Sequence, residues 1–354
     1  MLSPLLTGIG LHAIGAGCAS LCYVPQKKVT GWSWQTFWLA QAAVCWLLLP
    51  ILVAFITIPE LMTVIREAPD AAKLNSFLLG MAYGVGGTAF GIAIRYVGFS
   101  LTYAISVGIS CVLGTLLPPI MAGTFKDQMA LDGANIIILG ILAGVIGIAA
   151  CGIAGRLKEK YINKNNPGIK SAFNARIGIP LCLLSGILSA VYGISLAQGQ
   201  PIAEVAAKYG AGDYQGNVIY IFSNTGAFVT TAIYCIYLHI KNKTFGEYRK
   251  VPGFSKSPLA LYFLMAVLTG TLWYSQFFFY GLGHVNLENY QFTSWAIHMV
   301  MLVIFSTFTG IAFKEWHNAG SPAKKVLILS LAILLLSVFL LTYGNYLGGQ
   351  AAAH

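Results

Sequence analysis

The residues best suited to chemistry lie in one apolar, aromatic stretch, Trp273–Met299. Its polar side chains are Gln276, His284, Glu288, Asn289, Gln291, Ser294 and His298. Polar and ionisable groups inside a membrane are costly, and they usually face a bundle interior or an aqueous cavity. The stretch therefore predicts a binding or proton-handling site within a membrane protein.

Two histidines are expected at matching depth in separate parts of the chain. His12 lies nine residues into the first apolar segment, and His298 lies nine residues into the ninth. At about 1.5 Å per residue, both fall about 14 Å from the start of their helix, near the middle of the bilayer. Because no carboxylate lies at this depth, we predict that His12, His298 or His284 carries a proton, with Glu288 at the outer mouth as a further candidate. The alternative is that each histidine is a neutral hydrogen-bond donor between helices.

Aromatic and amide side chains repeat at helical spacing beside these histidines. Trp273, Gln276 and Tyr280 recur at three and four residues, which aligns them on one face of a helix. The full set of substrate-binding candidates is Trp273, Gln276, Tyr280, Gln291, Ser294, Trp295, Asn224 and His12. The competing interpretation of each aromatic residue is lipid-facing packing or an interfacial belt.

This set of side chains is polar but carries no fixed charge. Amides and imidazoles hydrogen-bond to hydroxyls, and a few such groups among apolar walls are typical of small-molecule sites. An anion would require Arg or Lys at mid-depth, an organic cation would require Asp or Glu, and the sequence places neither there. The pattern predicts a neutral polyol such as a sugar. We see no metal constellation, nucleotide loop or nucleophile motif, so no cofactor, metal site or enzyme activity is predicted.

Composition defines the scaffold around the site. The 354 residues are 57% apolar and 9% charged, with a mean hydropathy of +0.74, whereas a soluble chain carries about a quarter charged residues. Ten segments can span a bilayer, at roughly 3–24, 34–58, 74–95, 99–122, 133–155, 174–197, 216–240, 258–283, 289–313 and 324–346. The first lacks a basic start and a cleavage site, which favours a retained helix over a removed signal peptide.

The net charge of +10 indicates topology and not nucleic-acid binding. Seventeen of the 21 Lys and Arg residues fall in the odd-numbered loops between the ten segments. Because basic residues concentrate in cytoplasmic loops, we predict that the odd loops are cytoplasmic and both termini lie outside.

A polar loop from Arg156 to Lys170 divides the segments five and five. An odd number of helices per half gives the halves opposite orientations, as in transporters built from inverted repeats. We therefore predict an all-α membrane protein of ten transmembrane helices in two inverted five-helix repeats. The predicted boundaries are 1–155 for the first repeat, 156–173 for a cytoplasmic linker, 174–346 for the second repeat and 347–354 for a tail, whose closing Ala351–His354 is typical of an expression remnant.

Short motifs in both halves of the chain match a known pattern. They are Trp273-Tyr274, Gln276-Phe277-Phe278-Phe279-Tyr280, Gly283-His284, Ser294-Trp295, His298-Met299, Lys27-Lys28-Val29 with Trp32-Ser33-Trp34, and Lys314-Glu315-Trp316. These motifs resemble the bacterial L-rhamnose–proton symporter family, a branch of the drug/metabolite transporter superfamily. The resemblance departs at 285–291, where the family more usually has Pro and an Asp and this chain has Glu288 and Gln291. The residue that carries the proton is therefore left open among the candidates above.

The resemblance implies a function as well as a fold. It implies a multi-pass protein of the bacterial inner membrane that imports L-rhamnose or a related deoxysugar with a proton by alternating access. One alternative is an exporter of metabolites or drugs from the same superfamily, although cation exporters usually rely on a membrane carboxylate. A second is a sugar sensor without transport, which the absence of a soluble signalling domain disfavours.

Overall fold

The computed structural model describes residues 4–97, 99–165, 174–253 and 258–351, and these residues form helices without a strand. Ten helices in this part of the chain are long and apolar enough to cross a membrane. They are α1 (Pro4–Leu21), α2 (Trp34–Thr57), α3 (Asp70–Val97), α4 (Phe99–Met121), α5 (Ala134–Asn165), α6 (Ala175–Gln198), α7 (Asn217–Asn242), α8 (Leu259–Val285), α9 (Ser294–Ala312) and α10 (Ser321–Ala351). The prediction of an all-α protein with ten spanning helices is confirmed, while the inverted repeats and the outside location of both termini stay predictions.

The helix ends differ from the predicted spans where charged residues follow an apolar run. The span predicted at 133–155 belongs to α5, which continues to Asn165. The added residues include Arg156, Leu157, Lys158 and Glu159, all good helix formers. A charged turn can leave the hydrocarbon without leaving the helix, so hydropathy marks the membrane-buried part of α5 and not its end.

The second helix changes its hydrogen-bond pattern midway. It is α-helical at Trp34–Ala42 and Leu49–Thr57 and π-helical at Ala43–Leu48. Pro50 cannot donate a backbone hydrogen bond, and its ring crowds the carbonyl of the residue four positions earlier. This crowding favours a wider turn just before Pro50. Single π turns inside α-helices occur frequently at functional sites.

Contacts between helices divide the chain into two compact units. Unit 1 comprises Met1–Gly17, Gly86–Ile194 and Leu282–His354, and unit 2 comprises Cys18–Val85 and Ser195–Gly281. Helices α4, α5, α9 and α10 belong to unit 1, helices α2 and α7 belong to unit 2, and α1, α3, α6 and α8 contribute residues to both. Each unit therefore combines helices from both halves of the sequence.

Unit 1 is held together by close packing of α5 against α10. A Cβ added to Gly140 or Gly147 would come within 3 Å of Leu341 and Leu334 side chains on α10. The missing side chains let serines of α10 reach the α5 backbone, where the Ser330 hydroxyl donates to the Gly147 carbonyl at 2.9 Å and the Ser337 hydroxyl to the Gly140 carbonyl at 2.7 Å. Small residues are used in this way wherever membrane helices approach closely.

Unit 2 contains a similar seam between α3 and α7. A Cβ on Gly80 would lie 2.0 Å from the Ser223 carbonyl oxygen, and one on Gly84 would lie 2.5 Å from the Ala227 carbonyl oxygen. These contacts are with backbone atoms, which cannot turn aside as a flexible side chain can. The α3–α7 pair in unit 2 therefore depends on glycine at both positions.

The start of α2 is capped by a residue distant in sequence. The Glu247 carboxylate accepts hydrogen bonds from the Ser33 backbone N–H at 2.8 Å, the Ser33 hydroxyl at 2.9 Å and the Thr36 hydroxyl. It thereby satisfies a backbone donor that a helix N-terminus leaves open. Burial raises the pKa of the neighbouring Tyr248 phenol, which stays a neutral donor to the Thr36 carbonyl. These bonds fix the register of α2 within unit 2.

Candidate functional site

The two mid-membrane histidines of unit 1 lie side by side. His12 on α1 and His298 on α9 have ring centroids 5.8 Å apart and meet edge to face. Their exposed fractions are 0% and 2%. A Cβ on Gly283 would lie 3.0 Å from the His12 ring, so the absence of a side chain there makes room for the imidazole. Two buried titratable rings are thus brought together from helices at opposite ends of the sequence.

The third histidine of the predicted set ties two helices together. The Nδ1 atom of His284, near the end of α8, lies 2.9 Å from the Ser294 hydroxyl oxygen at the start of α9. Gln291 is half-buried in the 3₁₀ helix Glu288–Thr293 between them. The backbone of Glu288 belongs to this 3₁₀ helix, but its side chain lies outside the described part of the structure.

Trp295 has its indole engaged within unit 1. Its N–H donates to the Ser110 carbonyl at 2.9 Å and lies 3.2 Å from the Ser110 hydroxyl. A Cβ on Gly114 would lie 2.5 Å from the indole nitrogen, and one on Gly193 would lie 3.6 Å from the ring. The ring is therefore packed between α4 and α6, and its donor is already used by the protein.

In unit 2, Trp273 stands at the centre of an aromatic cluster. Its ring centroid lies 5.6 Å from Tyr23, 5.6 Å from Trp38 and 5.4 Å from Trp46. All three pairs meet edge to face, the geometry that the ring quadrupoles favour. None of these three partners was among the binding residues predicted from the sequence. Trp38 and Trp46 could have been recognised because they flank a polar residue, Gln41, inside a lipid-length helix.

The other predicted residues of unit 2 lie on α7 and α8. Asn224 is fully buried, Tyr280 is buried and Gln276 is half-buried. Next to them the Tyr220 hydroxyl donates to the Phe277 carbonyl at 2.6 Å, which joins α7 to α8. The predicted residues thus fall into two sets: Trp273, Gln276, Tyr280 and Asn224 in unit 2, and the remainder in unit 1. That the two sets share one chamber stays a prediction.

The buried polar groups of both units carry no fixed charge among the described residues. Among the described residues, no buried side chain is Asp, Glu, Lys or Arg. Within those residues, no group of three or more His, Cys, Asp or Glu side chains is arranged to hold a metal ion. What is buried instead is a set of hydroxyls, amides, imidazoles and indoles, which can hydrogen-bond to an uncharged solute.

Ten apolar helices with uncharged polar groups in their interior are typical of a membrane transporter for a neutral solute. The model of the L-rhamnose-proton symport protein (RhaT) family matches residues 1–346. Three relatives named L-rhamnose-proton symporter come from Mannheimia succiniciproducens, Shigella dysenteriae and Escherichia coli. They are 32%, 32% and 31% identical to this chain, and each match covers 97% of this chain and 99% of the relative. The chain belongs to the L-rhamnose-proton symport protein family, and it is a multi-pass protein of the bacterial inner membrane.

Proposed function

We propose that this chain imports L-rhamnose, or a closely related deoxysugar, together with a proton by alternating access. The observation that carries the proposal is the family match over residues 1–346. The three relatives described above are each named L-rhamnose-proton symporter. The exporter and sensor alternatives have no support from these relatives. Because the family is named for transport, we also infer that the chain is not an enzyme.

The proposed sugar-binding residues are those predicted from the sequence. In unit 2, the Trp273 ring, the Gln276 and Asn224 amides and the Tyr280 phenol supply the mixture of apolar and hydrogen-bonding surface that a sugar requires. In unit 1, the proposed residues are His12, Gln291, Ser294 and Trp295. Of these, Trp295 would offer a ring face only, since its N–H donates to Ser110. The lack of charge among the buried described residues supports a neutral substrate.

The proposed proton carrier is the His12–His298 pair. Two imidazolium charges with ring centroids 5.8 Å apart would repel each other, so the pair is suited to holding one proton at a time. Glu288 and His284 remain the further candidates. One proton that moves down about 100 mV supplies about 2.3 kcal/mol, enough for roughly fiftyfold accumulation of an uncharged solute.

The two five-helix repeats, 1–155 and 174–346, are part of the proposal, joined by the linker 156–173 and followed by the tail 347–354. If the halves are repeats, α1 to α5 correspond in order to α6 to α10. Unit 1 then holds the counterparts α4 and α9 together with α5 and α10, and unit 2 holds the counterparts α2 and α7. The remaining four helices, which contribute to both units, are also counterparts, α1 with α6 and α3 with α8. This balanced composition supports an internal repeat.

Transport in liposomes tests the function. We expect the purified protein to accumulate labelled L-rhamnose under an inward proton gradient and to lose accumulation when an ionophore collapses the gradient. Unchanged uptake without the gradient would rule out proton coupling. Excess unlabelled L-rhamnose should compete with the label and excess D-glucose should not.

Histidine variants test the proton carrier. We expect His12→Gln or His298→Gln to abolish uphill accumulation while sugar exchange across the membrane continues, because exchange needs no net proton release. His317→Gln is the control, since His317 is exposed. If both variants accumulate the sugar fully, the imidazole pair is excluded, and Glu288→Gln should then abolish accumulation.

A further inference from the structure

Gln41, in the first α-helical part of α2, carries a fully buried amide that has no partner among the described residues. Its exposed fraction is 0%, and within the described part of the chain neither its oxygen nor its nitrogen has a hydrogen-bond partner. A buried donor or acceptor left unsatisfied costs roughly 1–3 kcal/mol. Such groups are rare in native proteins, and each requires an explanation.

Other donors around Gln41 are open in the same way. On α2, the indole N–H groups of Trp38 and Trp46 are buried and have no partner among the described residues. The same holds for the Tyr274 hydroxyl on α8. An indole or a glutamine amide reaches the backbone of its own helix less readily than a serine hydroxyl or the shorter amide of asparagine does. The open groups therefore mark a patch of unit 2 in which hydrogen-bonding capacity is concentrated but unused.

Helix α8 lies close against α2 at this patch. A Cβ on Gly270 would lie 2.8 Å from the Gln41 carbonyl oxygen and 2.7 Å from the Val44 Cβ. Trp273 and Tyr274 follow Gly270 by three and four residues, so they lie on the same face of α8. This close approach brings the ring of Trp273 against Trp38 and Trp46.

The π turn of α2 contributes to the same arrangement. Trp46 lies eight residues after Trp38, a spacing that in a regular α-helix would place the two side chains about 80° apart around the helix axis. The π-helical segment Ala43–Leu48 holds more residues per turn, which rotates Trp46 back toward the face of Trp38. Both indoles consequently contact Trp273.

We propose that Gln41 hydrogen-bonds to the hydroxyls of the sugar and that Trp38 and Trp46, together with Trp273, enclose its C–H face. A primary amide offers an acceptor and two donors in one plane, which suits a pair of neighbouring hydroxyls. The cluster contains no charged side chain, which matches a neutral sugar. This inference rests on the proposed function, and it adds three sugar contacts that spacing in the sequence did not indicate.

The test compares two glutamines of the same helix. Gln41→Leu removes the amide while keeping a side chain of similar size. The matched control is Gln35→Leu, because Gln35 is 5% exposed and its amide donates to the Thr244 hydroxyl at 2.9 Å. For each purified variant we would measure the equilibrium binding of labelled L-rhamnose and the midpoint of thermal unfolding with and without the sugar.

We expect Gln41→Leu to bind L-rhamnose at least tenfold more weakly and to unfold, without sugar, at the wild-type midpoint or above. A ligand contact accounts for both results, because the variant removes an unsatisfied amide from the unliganded protein. Gln35→Leu should unfold at a lower midpoint and bind the sugar within twofold of wild type. Trp46→Phe, which removes an open N–H and keeps a ring, should also weaken binding.

Three outcomes would overturn the inference. The first is sugar binding within twofold of wild type in both Gln41→Leu and Trp46→Phe. The second is a midpoint for Gln41→Leu as low as that for Gln35→Leu, which would make Gln41 a structural residue. In both cases wild-type transport of L-rhamnose would leave the proposed function standing. The third is a wild-type protein that neither binds nor accumulates L-rhamnose, in which case the proposed function fails as well.

Discussion

Unit 1 and unit 2 both bury tryptophans and polar side chains, but the two units differ in whether these groups find hydrogen-bond partners within the described protein. In unit 1 the Trp295 indole donates to Ser110, and Ser330 and Ser337 donate to carbonyls of α5. In unit 2 the Trp38 and Trp46 indoles find no such partner among the described residues. Buried polar groups that bond within the protein stabilise its fold, whereas buried groups left open are available to a ligand.

The distinction rests on fully buried amides and indoles and not on hydroxyls, since the open amide oxygen of unit 1, on Gln128, belongs to a half-buried residue. In unit 1, the hydroxyls of Thr115 and Ser306 also lack a partner among the described residues. A helical serine or threonine can rotate toward a carbonyl of its own preceding turn, so an open hydroxyl is a weak signal. The amide of Gln41 is carried on a longer side chain and makes no such bond within the described residues. We infer that the buried polar groups of unit 2 near Trp273 serve the sugar and that most of those in unit 1 serve structure, apart from the imidazole pair and the proposed sugar contacts Gln291 and Ser294.

The largest expected effect comes from separating α3 and α7, the helix pair that depends on glycine in unit 2. Gly80→Ala places a Cβ about 2.0 Å from the Ser223 carbonyl oxygen, a backbone atom that cannot move without separating α3 from α7. We expect a loss of stability of about 3 kcal/mol or more. We would measure the midpoint of thermal unfolding in detergent and the affinity for labelled L-rhamnose, and both should fall.

The control for this variant is a glycine in open space. A Cβ on Gly10, within α1, would have no heavy atom within 4 Å. Gly10→Ala should therefore be neutral or stabilise by up to about 1 kcal/mol, since alanine is the better helix former. A Gly80→Ala protein as stable as Gly10→Ala would contradict the proposed dependence of the α3–α7 seam on glycine.

An intermediate effect is expected from replacing one tryptophan in each unit, Trp273 in unit 2 and Trp295 in unit 1. We expect Trp273→Phe to weaken L-rhamnose binding about tenfold, equivalent to about 1.4 kcal/mol, because the indole lies in the proposed sugar cluster. Trp295→Phe should leave the affinity within twofold of wild type and lower stability by about 1 kcal/mol, since it removes the hydrogen bond to Ser110. Measurements of sugar binding and thermal unfolding on both variants distinguish a sugar contact from a structural residue. The reverse pattern would make the Trp295 indole a stronger sugar contact than the Trp273 indole.

The smallest expected effect concerns a satisfied hydroxyl of unit 1. Ser337→Ala removes the 2.7 Å bond to the Gly140 carbonyl and should lower the free energy of unfolding by about 1 kcal/mol. Ser275→Ala is the control, because the Ser275 hydroxyl donates to Thr271 on its own helix, a bond of little tertiary value. Equal stability of the two variants would show that the serines of α10 do not hold unit 1 together. Transport rates of both variants should match wild type.

Much of the fold and part of the candidate site follow from residue spacing alone. The ten apolar segments predict the ten helices. His12 and His298 each lie nine residues from the start of their segment, which predicts that they share one depth in the membrane. The structure sets these rings 5.8 Å apart. The role of Trp295 could not be derived in this way, because its hydrogen bond to Ser110 depends on how α9 is rotated against α4. Gln41 was missed for the same reason, since nothing in its neighbours along the chain shows that its amide has no partner.

Hydropathy by itself determines the number of spanning helices and their apolar character, because the bilayer constrains every span in the same way. The family follows from the resemblance of short motifs. Those properties depend only on residues that are close together in the sequence. Only the tertiary structure decides that each compact unit draws on both halves of the chain and that α2 and α8 meet at Gly270. Contacts of this kind depend on helix rotation and on close approach at single glycines, which distant parts of the sequence set jointly.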